Sequence, residues 1–318
     1  MNRGFLFRTA LLIAGLFCLQ GCASRTAGES DLRTFPAVQI PSVYTEQEEV
    51  VDYILDHFWD GYFDTSRHWR TDSLHMAGVD RKEMVAQISS YAAIIENCPL
   101  GKARGSVAVL MDKLEAYHSA DTLLFGKMTG MLSSCLYDPN SELRDEDVYR
   151  TLAERLAVSP FVPENMVSAY EHDARMCALN AKGTPAADFQ FVDSDGHPGT
   201  LYGIGTDYTA LIFVNPGCQA CGEVVSPFSS ELVMNLIASG KLTVLGMYID
   251  DEIDEWKAGK DDLPAHWLNA CDPSGTIRTD MTYCVRAIPS IYILDRAKTV
   301  IMKDAVPQKA LSFLSTIE

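Results

Sequence analysis

The chain has 318 residues, 47% of them hydrophobic and 22% charged, which is long enough for a sizeable core and for two domains. Its formal charge of −17 repels polyanions, so nucleic acid is excluded as an expected partner. Nine cysteines are too few for a disulfide scaffold in a chain of this length.

The N-terminus reads as an export signal over residues 1–21. Arg3 and Arg8 supply a positive start, Thr9 to Leu19 a short apolar run, and Gly21 a small residue before a cut. The apolar run falls short of the ~20 residues needed to cross a bilayer. The run Leu19-Gln20-Gly21-Cys22 resembles a bacterial lipobox, which implies a lipid on Cys22 as the first mature residue. Ala23, rather than Asp, follows that cysteine, and the same resemblance implies an outer-membrane anchor facing the periplasm. With Cys18 removed and Cys22 lipidated, seven thiols remain, and an odd number cannot all pair within one chain.

Residues 22–44 are polar, aperiodic and carry Pro36 and Pro41, so they are expected to be a tether; ~20 extended residues reach some 65 Å at most. From 45 to 182 the pattern is helical. Val51, Ile54, Leu55 and Phe58 form one apolar stripe, and Met84, Ile88, Tyr91 and Ile95 another. Four further helical stretches follow, one of them opening on Asp145-Glu146-Asp147, which suits the positive end of a helix dipole. The expectation is an all-α domain of five or six helices, with Phe58, Trp59, Tyr62 and Phe63 in its core.

At Gly183 and Pro185 the helical pattern stops, and residues 183–318 alternate strand and helix. Expected strands are Asp188 to Val192, Ala210 to Val214, Leu242 to Ile249, Ile291 to Leu294 and Val300 to Met302; Cys221 to Ser239 is expected as one helix.

The chemistry concentrates in "NPGCQAC", where Cys218 follows an apolar strand and opens a helix. Unpaired backbone N–H groups and the dipole favour thiolate at that place. Cys221, one turn on, is placed to resolve a mixed disulfide formed at Cys218. About 70 residues later, Ile288-Pro289 precedes a closing strand; a cis peptide facing the cysteines would offer strand-like backbone to an incoming peptide, whereas the plain alternative is a proline that starts a strand.

The order "GTPAADF", strand, "NPGCQAC", then "AIPSIYILD" resembles the TlpA-like thioredoxin-fold family over about residues 183–318. The run "LYDPNSELRDEDVYRTL" leading into "NAKGTPAADF" resembles the uncharacterised helical domain that precedes thioredoxin domains in lipoproteins of some Gram-negative bacteria. The fold implied is an α/β thioredoxin-like C-terminal domain preceded by an all-α helical domain. The function implied is an exported thiol-disulfide oxidoreductase needing no cofactor or metal, with Cys218 and Cys221 as the active pair and Pro289 as the cis-proline. Its implied partners are disulfide-bearing exported clients and, for a reductase, a membrane-linked electron donor.

Gly217 stands where the family commonly has an aromatic residue, and Gln219-Ala220 supplies neither a thiolate-stabilising His nor a proline. A reductase or isomerase poise is therefore expected, not a strong oxidant. Two other readings stay open: a metal-binding chaperone using Cys218, Cys221 and His266, and a non-catalytic partner-binding lipoprotein on the same scaffold. Asn215, three residues before Cys218, is not the threonine of a peroxiredoxin. Cys271 and Cys284 are expected to be separate buried thiols, with a second disulfide between them as the alternative.

Overall fold

The computed structural model describes residues 31–259 and 262–317, so the signal segment 1–21 and Cys22 lie outside the described residues. Leu32–Glu318 forms one compact unit.

Its first half is built from helices α1 (Gln47–His57), α2 (Arg81–Glu96), α3 (Leu100–Tyr117), α4 (Thr122–Tyr137), α5 (Glu146–Val158) and α6 (Glu164–Ala178), with a small hairpin of β1 (His75–Met76) and β2 (Val79–Asp80) ahead of α2. Three helices start where an aspartate can cap them. Asp80 accepts from the Lys82 and Glu83 N–H groups, Asp121 from those of Leu123 and Leu124, and Asp145 from that of Val148. Each such cap stabilises its helix by ~1 kcal/mol. Between the caps the apolar stripes meet: Ile54, Leu55, Met84, Ile88, Tyr91, Leu110, Leu114, Leu132 and Leu152 share one buried cluster. Each contributes on the order of 1.5–3 kcal/mol by leaving water.

The run expected as a tether packs on the helical domain at Arg33 and Phe35, and the Tyr44 ring lies 4.8 Å from that of Tyr53. Phe35 stacks on Tyr62 at 5.4 Å and meets Phe58 and Trp59 at 5.6 Å, while its backbone N–H donates to Glu83. Arg33 Nε donates to the Ala77 carbonyl at 2.8 Å, and its guanidinium lies 4.3 Å over Trp69. An aromatic in a polar run carries no periodicity, so the partial burial of Phe35 was invisible in the sequence.

The second half holds one sheet in the order β4-β3-β7-β6-β5-β8-β9, formed by β3 (Gln190–Asp193), β4 (Pro198–Thr200), β5 (Tyr208–Phe213), β6 (Leu242–Tyr248), β7 (Leu268–Cys271), β8 (Ser290–Asp295) and β9 (Val300–Met302). β5, β6 and β7 are mutually parallel; β8 pairs antiparallel with β5, and β9 with β8. Alternation sends Ala210, Ile212, Val244, Ile291 and Ile293 to one face and Leu211, Phe213, Leu245, Tyr292 and Leu294 to the other. The first face is covered by α7 (Gln219–Val225), α8 (Glu231–Ala238) and α11 (Pro307–Leu314).

The single helix expected over Cys221 to Ser239 is two, α7 and α8, separated by a 3-10 turn at Pro227–Ser229. Pro227 has no N–H to continue the ladder. β7, a short apolar strand with weak alternation, and the acidic helix α9 (Ile253–Gly259) were not anticipated.

Candidate functional site

The site forms where β5 ends. Register pairs Phe213 with Ser290, so the turn after β5 and Pro289, just ahead of β8, meet at the same edge of two neighbouring strands. Val214 donates one further bond, to the Met247 carbonyl at 3.0 Å, and the chain then turns through Asn215, Pro216 and Gly217. Gly217 has φ +70°, in the left-handed region where a Cβ is strained. That explains why an aromatic residue does not stand before the cysteine.

Two ties fix the turn. Asn215 accepts from the Cys218 N–H at 3.3 Å, and its side-chain amide donates to Asp250 at 2.5 Å. Asp250 in turn pairs with Arg278 at 2.7 Å, on the short helix α10 (Thr276–Thr279). Helix α9 supports the other side: a Cβ at Gly259 would run into the Pro216 ring.

Cys218 is the N-cap of α7. Its Sγ accepts from the Cys221 N–H at 3.3 Å and the residue is half-buried. Cys221 is 3% exposed, and its thiol is pushed up to about 12 by burial first and by its hydrogen bond with Cys218, against a smaller opposite pull from the Asn215 backbone. Both cysteines are free thiols, and Cys218, Cys221 and Ile288 pack into one apolar cluster with Val214 and Val224. The Ile288-Pro289 peptide is cis. The structure therefore gathers the three residues singled out in the sequence. A half-buried and a buried thiol one helical turn apart are chemically equipped for thiol–disulfide exchange.

Asn215, Asp250, Arg278 and Gly259 were missed. Asp250 opens the acidic run "DDEIDE", which reads as a solvated surface, and only the sheet brings it beside Asn215. Glu223 lies exposed on α7. Cys271 is buried in β7 beside Tyr248 and Trp256, and Cys284 is half-buried; both are free thiols. Among the described residues no three His, Cys, Asp or Glu side chains gather as a metal site, so Cys218 and Cys221 have no third ligand at His266.

Comparison with known proteins agrees with this architecture. The crystal structure of a thioredoxin-like protein from Bacteroides caccae matches 90% of this chain and 100% of its own, at 29% identity and a TM-score of 0.77. The C-terminal domain of an uncharacterized protein from Bacteroides fragilis is 40% identical, over 43% of this chain and 99% of that one, with a TM-score of 0.42. A domain of a possible thiol-disulfide isomerase from Cytophaga hutchinsonii is 23% identical over 44% of this chain and 95% of that one, with a TM-score of 0.38. No curated protein matches the chain. The fold and site thus define a two-part protein with a thioredoxin-like C-terminal domain. Ahead of it, residues 20–177 match the family described as a domain of unknown function, DUF5106.

Proposed function

We propose that this protein is an exported, lipid-anchored thiol–disulfide oxidoreductase that reduces or isomerises disulfides of exported proteins. The observation that carries the reading is the pair itself: half-buried Cys218 capping α7, with buried Cys221 one turn behind it and hydrogen-bonded to its sulfur.

In the reductive direction the Cys218 thiolate attacks a client disulfide, forming a Cys218–client bond and releasing one client thiolate. Cys221 then gives up its proton and attacks the Cys218 sulfur. The second client sulfur leaves as a thiol, the Cys218–Cys221 disulfide forms, and two electrons have passed to the client. A second dithiol, carried by a membrane-linked donor, restores the pair. In isomerisation a client thiol attacks the mixed disulfide instead, and no net electrons are consumed. Attachment through Cys22 to the outer membrane, facing the periplasm, rests on the N-terminal sequence alone.

The test is equilibration of the mature soluble chain with glutathione redox buffers, followed by thiol trapping. A reversible two-electron couple that disappears in Cys218→Ser is expected, at a potential more reducing than that of a strong disulfide donor. The absence of any such couple defeats the reading.

A further inference from the structure

One side chain ties the helical domain to the segment that ends in Pro289. Arg286 is 15% exposed and three residues ahead of that proline. Its Nε donates to Glu146 at 2.7 Å, its Nη1 to the Tyr137 carbonyl, and its Nη2 to Asp304 at 3.2 Å. The guanidinium also lies 3.8 Å over the Tyr137 ring. Glu146 and Tyr137 belong to α5 and α4, so most of what holds Arg286 comes from the helical domain.

Those partners are themselves held. Tyr137 stacks on Tyr149 at 4.0 Å, and the Tyr149 hydroxyl donates to Asp173 at 3.0 Å. Glu146, 1% exposed, pairs with Lys303 at 2.8 Å, and Lys303 also donates to the Cys177 and Leu179 carbonyls at the end of α6. On the far side of the proline, Ser290 donates to Asp304 at 2.9 Å, and Arg144 pairs with the same carboxylate at 3.3 Å. Arg286 and Ser290 therefore both end on Asp304, and the intervening residues are spanned by a buried clamp. A planar fork of donors meets these three directions at once, which a lysine ammonium cannot.

We propose that Arg286 is a positioning residue through which the helical domain sets the client-binding backbone at Ile288 and Pro289, so that protein disulfides are recognised by both domains together. The inference rests on the reading of Cys218 and Cys221 as an exchange pair. A client segment that adds along exposed backbone needs that backbone held in place, whereas a small disulfide needs only access to Cys218.

The full mature chain and its Arg286→Lys and Arg286→Met variants are assayed with insulin, with glutathione disulfide, and for the potential of the cysteine pair. Arg155→Gln serves as a control: Arg155 pairs with Asp112 and Glu115, both on α3 within the helical domain. Both Arg286 variants are expected to raise KM for insulin roughly tenfold with little change in kcat. Turnover of glutathione disulfide, the potential, and all values for Arg155→Gln should stay at wild type. Arg286→Lys decides the matter if Arg286→Met does not fold. An unchanged KM for insulin in the Arg286 variants overturns the inference, and so does a parallel loss on both substrates, which marks a purely structural role. A wild type active on glutathione disulfide but inert to insulin removes the protein client and overturns it as well. A wild type inert to both fails the oxidoreductase reading first.

Discussion

Burial keeps most of the thiols protonated. It raises the thiols of Cys98, Cys271 and Cys177, pushes those of Cys135 and Cys284 up to about 11, and pushes Cys221 up to about 12. A group so raised stays protonated at neutral pH, and only the thiolate attacks an alkylating agent. At pH 7 the folded, reduced protein is expected to take up one iodoacetamide, at Cys218, which is half-buried at a helix start, as read by peptide mapping; comparable labelling of Cys221 would contradict this. Denaturation should expose the remaining thiols. The identity and spacing of the pair were legible in the sequence because a strand, a turn and a helix start are local features. Which thiol is covered was not, since Val224, Ile288 and Ile291 approach it from three different elements.

At the scale of elements, α9 and the turn after β5 form one mechanical unit. Helix propensity alone makes Gly259→Ala favourable by ~1 kcal/mol. The added Cβ, however, would meet Pro216, a rigid ring that cannot swing aside, so the Asn215–Cys218 turn has to shift. The substitution is expected to destabilise by ~1–3 kcal/mol in urea unfolding, and to lower disulfide turnover by about tenfold or more because the nucleophile is displaced. A stabilised, fully active variant would show that α9 does not support the site. Long periodic segments were readable: α2 to α6 fall on the helical stretches of the sequence. Short ones were not. The break at Pro227 and strand β7 depend on which side chains find partners, as Phe35 does at the start of the helical domain.

The whole molecule is joined through buried charge. Asp304, 12% exposed, is raised above the ordinary aspartate value of 3.8 by burial first and by the nearby charge of Glu146, with Arg144, Arg286 and Ser290 pulling the other way. A folded-state value above the unfolded one means that the native protein holds this proton to higher pH. Its contribution to stability is present below 3.8 and is lost as pH rises through the folded value. Across that window wild type is expected to lose stability that Asp304→Asn does not lose, because the amide has no proton to release. Urea unfolding from acid to neutral pH checks this, and parallel profiles for the two proteins would exclude it. The variant is also expected to be less stable at neutral pH, since Arg144 and Arg286 each lose a buried partner.

The sequence by itself determined the order of the two domains, the strand that leads to Cys218, and the proline ahead of the closing strand. These follow from periodicity, chain breakers and residue type within a few positions of one another. It marked Asp145-Glu146-Asp147 as a helix start, which is correct at Asp145, the cap. That Glu146 and Asp147 are buried was decided only by the tertiary structure. A carboxylate is buried when cations arrive to compensate it, and the partners of Glu146 are Arg286 and Lys303, from the other end of the chain. The tie between Asn215 and Asp250 has the same origin: two polar residues in separate loops acquire a shared role when β5 and β6 pair.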